Sequence, residues 1–163
     1  MQTARATAGS AVFFVVAPGV VAGLVPWLLT GWSSWQAPSW FVPLRVVGGL
    51  LIVAAAAALV GSFVRFVLEG RGTPAPVAPT EDLVVGGLYR YVRNPMYVAV
   101  VALIVGQAML LARPVLLAYA TLVWAATASF ARWYEEPALR SRYGVQYEDY
   151  RRSVPAWLPR RSR

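Results

Sequence analysis

Apolar residues run along this chain in four long blocks, Ala11–Thr30, Leu44–Leu68, Met96–Ala112 and Pro114–Ala131. The only charged residues inside them are Arg45 and Arg65, near the ends of the second block. A helix that crosses the hydrocarbon core needs roughly 17–25 apolar residues, so the pattern predicts four transmembrane helices, the last two of them short. Arg113-Pro114 leaves room for only a tight break, which makes those two an antiparallel helical hairpin. Pro95 disfavours helical geometry at Asn94 and suits the first turn of the third helix. Pro137 is expected to break or kink the fourth. Beyond it, Leu139, Tyr143, Tyr147, Tyr150 and Val154 recur at helical spacing, opposite Arg140, Arg142, Glu148, Asp149, Arg151 and Arg152. That alternation predicts an amphipathic helix on the cytoplasmic surface, with Gly144 dividing it into two short pieces.

Composition supports the same class. The 163 residues are 58% hydrophobic and 13% charged, with mean hydropathy +0.55, whereas a soluble domain carries about a quarter charged residues. The expectation is a single-domain, all-α integral membrane protein. Ala11–Thr30 holds Pro18 and Pro26 and lacks a small-x-small cleavage pattern, so it reads as a mature helix and not a signal peptide. The run Ala54–Ala58 and the glycines 48, 49 and 61 read as close-packing positions in the second helix. Arg65 and Glu69 are spaced to pair at its end. The Gly70–Thr80 loop carries Pro74, Pro76 and Pro79, a spacing that favours extended structure.

All fifteen basic residues are arginine, and lysine, histidine and cysteine are absent. Disulfides, thiolate nucleophiles, imidazole bases and the usual zinc sites are thereby excluded. If the spans alternate, thirteen arginines fall on one side and Arg45 and Arg113 on the other. The positive-inside rule then puts both termini and the Glu69–Pro95 loop in the cytoplasm. The net charge of +8 reads as topology and attraction to anionic headgroups; nothing besides charge points to nucleic acid.

Two polar clusters stand out against this background. Tyr89-Arg90-Tyr91-Val92-Arg93-Asn94-Pro95-Met96-Tyr97 precedes and opens the third helix, and Arg132-Trp133-Tyr134-Glu135-Glu136 closes the fourth. Charged groups are costly near a bilayer and mark sites by default. A helix start also offers unpaired amides to an anion. Arg93 and Arg132 suit bidentate carboxylate or phosphate binding, and Glu135 or Glu136 suits a cationic group. A salt bridge at a helix end is the plain alternative for Arg132 with Glu136.

The Arg93-Asn94-Pro95-Met96-Tyr97 motif resembles the Arg-His-Pro-x-Tyr signature of the isoprenylcysteine carboxyl methyltransferase family, which is related to the membrane phospholipid methyltransferases. Glu135-Glu136, Leu139, Tyr143-Gly144, Tyr147, Tyr150, Val154-Pro155 and Pro159 resemble that family's ending, so the likeness spans residues 72–160. It implies a cofactor-binding and catalytic part there, behind two N-terminal helices at 11–68. The implied activity is methyl transfer from S-adenosylmethionine to a lipophilic acceptor that arrives from the bilayer. Carried over position by position, Arg93 and Arg132 hold the reacting group of the substrate and Glu136 lies beside the methyl and sulfonium. Tyr89, Asn94, Pro95, Met96, Tyr97, Glu135, Leu139 and Tyr147 line or close the cofactor pocket. Asn94 stands where the family usually has histidine, and Ala99 where glycine is common.

A carboxylate acceptor needs no general base, so a chain without histidine leans toward O-methylation of an isoprenylcysteine-like or lipid acid. N-methylation of a phospholipid or other lipid amine stays open, with Glu135, Glu136 or a tyrosine to move the proton. Residues 1–68 contain no Asp or Glu, which argues against a proton-coupled exporter. A non-catalytic membrane scaffold is the rival of another class, separable by cofactor binding.

Overall fold

The computed structural model describes residues 16–70 and 82–159, and every regular element among them is helical. Five helices follow one another: α1 (Val16–Thr30), α2 (Val42–Gly70), α3 (Pro95–Leu111), α4 (Val115–Tyr143) and α5 (Val145–Ser153). Residues 11–15 of the first apolar block and most of the proline-rich loop, from 71 to 81, lie outside the described residues.

α2, with the short turn that leads into it, and α4 are both long and apolar enough to cross a membrane. Their most apolar stretches are only 22% and 17% buried inside the protein. Leu50, Val53, Leu68 and Leu122 face outward. Apolar surface on that scale is unstable in water, so these helices are built for a hydrocarbon solvent. α1 and α3 are apolar but shorter.

The hairpin turn forms where the sequence places it. α3 begins at Pro95 and ends at Leu111, Ala112 takes a left-handed conformation (φ 53°), and Pro114 caps α4. Leu59 of α2, Ala99, Val100, Ile104 and Ala108 of α3, and Leu116, Ala120 and Val123 of α4 make the shared core. α2 and α3 cross with backbones nearly touching. A Cβ built on Gly48 would lie 2.7 Å from the Gly106 carbonyl oxygen, and one on Gly106 2.9 Å from the Gly48 oxygen. Of the three packing glycines expected in α2, Gly48 has this role, whereas a Cβ built on Gly49 or Gly61 would meet nothing within 4 Å among the described residues outside its own stretch of helix. The Arg65–Glu69 pair forms at 2.9 Å, and Glu69 also accepts the Gly86 amide at 2.9 Å. The α2 end thereby holds the turn that leads into the polar cluster.

Pro137 does not break α4. The helix widens into a π-helical turn over Ala131–Glu135, with the Glu136 amide reaching back to the Ala131 carbonyl, and continues to Tyr143. Proline lacks an N–H and its ring crowds the carbonyl four residues earlier; a wider turn just before it absorbs both faults. α1 repeats the device, with a π turn at Val20–Leu24 ahead of Pro26. There the carbonyls left behind are put to use. Gln107 donates to the Ala22 oxygen at 2.7 Å and Tyr119 to the Val21 oxygen at 2.8 Å. These bonds fasten α1 to the hairpin. Tyr119→Phe and Gln107→Leu are each expected to cost about 0.5–2 kcal/mol, read as a lower midpoint in thermal unfolding of the lipid-embedded protein.

α5 turns its aromatic stripe inward, away from solvent. Tyr147 is 2% exposed and Val154 7%, and Tyr150 donates to the Tyr89 carbonyl at 2.6 Å. Gly144 separates α4 from α5 as expected, at φ 53° and ψ −123°.

Candidate functional site

Three pieces of chain meet at one end of the hairpin: the turn before α3, the distal part of α4, and α5 with the residues after it. A short helical turn at Gly87–Arg90 delivers Arg93 and Asn94 to the start of α3. The chain then returns after α5, and residues 154–157 cross this start. The Arg93 amide donates to the Pro155 carbonyl at 2.9 Å and the Asn94 amide to the Ala156 carbonyl at 3.3 Å. The Asn94 side-chain amide reaches the same Ala156 oxygen at 3.2 Å. The amides of Arg93 and Asn94, just ahead of the helix, are therefore occupied by the protein's own backbone.

Arg93 is the junction of the site. Its Nη1 donates to Glu136 Oε1 at 3.0 Å and to the Tyr147 hydroxyl at 2.9 Å. Both members of the ion pair are only 12% exposed. The second oxygen of Glu136 faces Arg132 at 3.4 Å and Arg151 at 3.9 Å. One carboxylate thus meets three guanidinium groups, of which Arg151 lies nearer to Glu148, at 3.6 Å; Arg93 and Arg132 share Glu136, which favours a further anion beside them. Glu135 is in a different setting. Its Oε1 accepts from the Tyr97 hydroxyl at 2.6 Å, so its partner is a neutral phenol. Burial pushes the phenols of Tyr89, Tyr147 and Tyr150 up, which keeps all three protonated around neutral pH.

A cavity of about 30 Å³ lies between these groups, lined by Arg93, Asn94, Ala131, Glu135, Glu136, Leu139, Tyr147 and Tyr150. Six of the expected site residues are therefore brought together directly. Tyr97 stands behind Glu135, and Arg132 reaches Glu136 from the rim with its side chain 64% exposed. Tyr89 is buried beneath α5, Pro95 is buried at the start of α3, and Met96 packs toward the apolar core; none of these three lines the cavity. Ala131 and Tyr150 line it without having been anticipated as site residues. Arg151 and the carbonyls of Pro155 and Ala156 were also missed. Tyr150 and Val154-Pro155 carried a signal in the periodic stripe and the closing motif, whereas nothing local distinguishes Arg151 from its charged neighbours.

The donor set suits an amphoteric nucleoside such as S-adenosylmethionine: two carboxylates for cationic groups, and arginines for an anionic one. Arg93 Nε is buried and finds no hydrogen-bond partner among the described residues, an unusual condition for a guanidinium. A space of 30 Å³ holds about one water. A ligand of nucleoside size needs the walls of this cavity to move apart.

The profile of the phospholipid methyltransferase family matches residues 44–146, well over half of the chain. The match begins near the start of α2, earlier than the motifs alone suggest. Protein-S-isoprenylcysteine O-methyltransferase A of Arabidopsis thaliana is 38% identical over 78 residues, which is 47% of this chain and 39% of that protein. The aligned part thus spans about two fifths of the length of this relative. No solved structure matches the chain.

Proposed function

Because the chain belongs to the phospholipid methyltransferase family, we propose that it is a multi-pass membrane enzyme that transfers a methyl group from S-adenosylmethionine to a lipophilic acceptor. The preferred acceptor is the carboxylate of an isoprenylcysteine-like or lipid acid. The observation that carries this reading is the buried Arg93–Glu136 pair, set in a small cavity at the end of an apolar hairpin and flanked by Arg132 and Arg151. Arg93 and Arg132 share one carboxylate, which leaves room for a second anion, and a carboxylate acceptor would supply it.

In this reading the four apolar blocks span the bilayer. The arginine imbalance puts both termini and the site on the cytoplasmic side. The bound cofactor would supply an electrophilic methyl group on a sulfonium. Arg93 and Arg132 hold the anionic group of the acceptor and orient its oxygen, while Glu136 lies on the cationic side of the cleft. Asn94, Glu135, Leu139 and Tyr147 form the cofactor's walls. Tyr97 fixes the Glu135 carboxylate; Tyr89, Pro95 and Met96 shape the turn behind. Orientation and exclusion of water are the protein's main contributions to a displacement of this kind. N-methylation of a lipid amine is the second reading, favoured by Glu135, whose hydrogen-bond partner is neutral and which can receive a proton.

The test is calorimetric titration of S-adenosylhomocysteine into the purified protein, beside a Glu136→Ala variant. Saturable binding that weakens at least 10-fold in the variant is the expected result. A folded wild-type protein that binds nothing in detergent and in lipid nanodiscs would overturn the enzyme reading and leave a membrane scaffold.

A further inference from the structure

Three aromatic rings lead from the outer flank of the hairpin to the site. Trp124 of α4 is 48% exposed, on a helix whose Leu117 and Leu122 also face outward. The ring of Trp157 meets it edge-on, with centroids 6.3 Å apart and planes at 70°. On its other side Trp157 stacks on Tyr97, at 6.4 Å and 28°, and the Tyr97 hydroxyl holds Glu135 Oε1 at 2.6 Å. Trp124 precedes the cavity-lining Ala131 by seven residues, so both lie on one side of α4 about 10 Å apart along its axis. The segment that carries Trp157 is tied to the start of α3 by the Pro155 and Ala156 carbonyls on the amides of Arg93 and Asn94.

We propose that Trp157, wedged between Tyr97 and Trp124, forms the lateral mouth through which the hydrocarbon chain of the acceptor reaches the site, and that its bulk selects which chains pass. This deepens the methyltransferase reading and rests on it. The occupant is a single hydrocarbon chain whose polar head points toward Arg93. Three features favour it: the row of rings is continuous with the cavity wall at Glu135, its outer end is exposed on an apolar flank, and flat indoles offer a large apolar face at little entropic cost. Trp157 is a positioning residue and touches none of the reacting atoms.

Two measurements test the mouth. In the first, 9,10-dibromostearate is titrated into the wild-type protein and a Trp157→Phe variant, both in nanodiscs of unbrominated lipid. The difference between their emission isolates Trp157. Saturable quenching of that difference is expected; a difference signal indifferent to the brominated chain overturns the proposal. In the second, S-adenosylhomocysteine affinity and methyl transfer to S-geranyl, S-farnesyl and S-geranylgeranyl cysteine acceptors are compared in wild type and Trp157→Ala. The expected outcome is cofactor affinity within 3-fold of wild type and a change of at least 10-fold in the ratio of kcat/KM between the longest and shortest chains. Lost cofactor affinity with an unchanged ratio would make Trp157 a cofactor lid and overturn the proposal. A wild-type protein that binds no S-adenosylhomocysteine sinks the methyltransferase reading, while the quenching result still decides whether a chain enters beside Trp157.

Discussion

An Arg93→Ala variant is expected to lose roughly 100–1,000-fold in methyl transfer, the range seen when one preorganised donor to a reacting group is removed. The same variant should be less stable. Arg93 joins α3 to α4 through Glu136 and to α5 through Tyr147, and the ion pair is largely shielded from solvent. Breaking such a pair from one side costs about 3–5 kcal/mol, because the abandoned charge stays buried. Arg132 and Arg151 remain within 4 Å of Glu136, so the loss falls toward the lower end. Thermal unfolding and transfer of labelled methyl separate the two effects. Arg93→Met combined with Glu136→Leu should recover much of the stability and none of the activity, since Arg132 is 64% exposed and Arg151 keeps Glu148 at 3.6 Å, so no buried charge is left stranded. Wild-type turnover in Arg93→Ala would remove Arg93 from the substrate-binding role.

Gly48→Leu or Gly106→Leu is expected to prevent stable folding, the largest structural effect open to a single change in the hairpin region. A Cβ on Gly48 would sit 2.7 Å from the Gly106 oxygen and from the Leu110 nitrogen. Those are backbone atoms of α3 and cannot rotate away. Even alanine forces the helices apart, at a cost of about 1–3 kcal/mol, and leucine adds three more carbons with nowhere to go. Gly49→Ala and Gly61→Ala are the controls. A Cβ at either position would meet no other element among the described residues, and exchanging a mid-helix glycine for alanine gains up to about 1 kcal/mol of helix propensity. Monodispersity in detergent and thermal midpoints should therefore move in opposite directions for Gly48→Ala and Gly49→Ala. Equal effects at the two sites would refute the backbone crossing.

How far the sequence could be read followed the range of the interaction. Features set by neighbouring residues were legible: the hairpin break at Arg113-Pro114, the start of α3 at Pro95, the Arg65–Glu69 pair and the division at Gly144 all stand where expected. Features that depend on a partner far along the chain were not. Gly106 looks like any glycine in an apolar run until α2 lies across it. The carbonyls of Pro155 and Ala156 become ligands of residues 93 and 94 only after the chain has turned back over α5. The aromatic stripe of α5 was visible as a period, but period alone cannot say what it faces; Tyr147 and Val154 are buried against the protein. Of the two outcomes expected at Pro137, a break or a kink, the break does not occur, for a local reason. Proline disfavours a regular α-turn, and a π turn lies outside that rule.

The crossing of residues 154–157 over the start of α3 also orders events in time. The chain is made from its N-terminus, so the residues of α3 and α4 are joined before Pro155 and Ala156. The site is finished by the last described stretch to be synthesised, which folds back 62 residues to reach Asn94. Packing of the hairpin and completion of the site are thereby separable: α3 and α4 share a core to which residues 154–157 contribute nothing, so the hairpin can assemble before its polar end is closed.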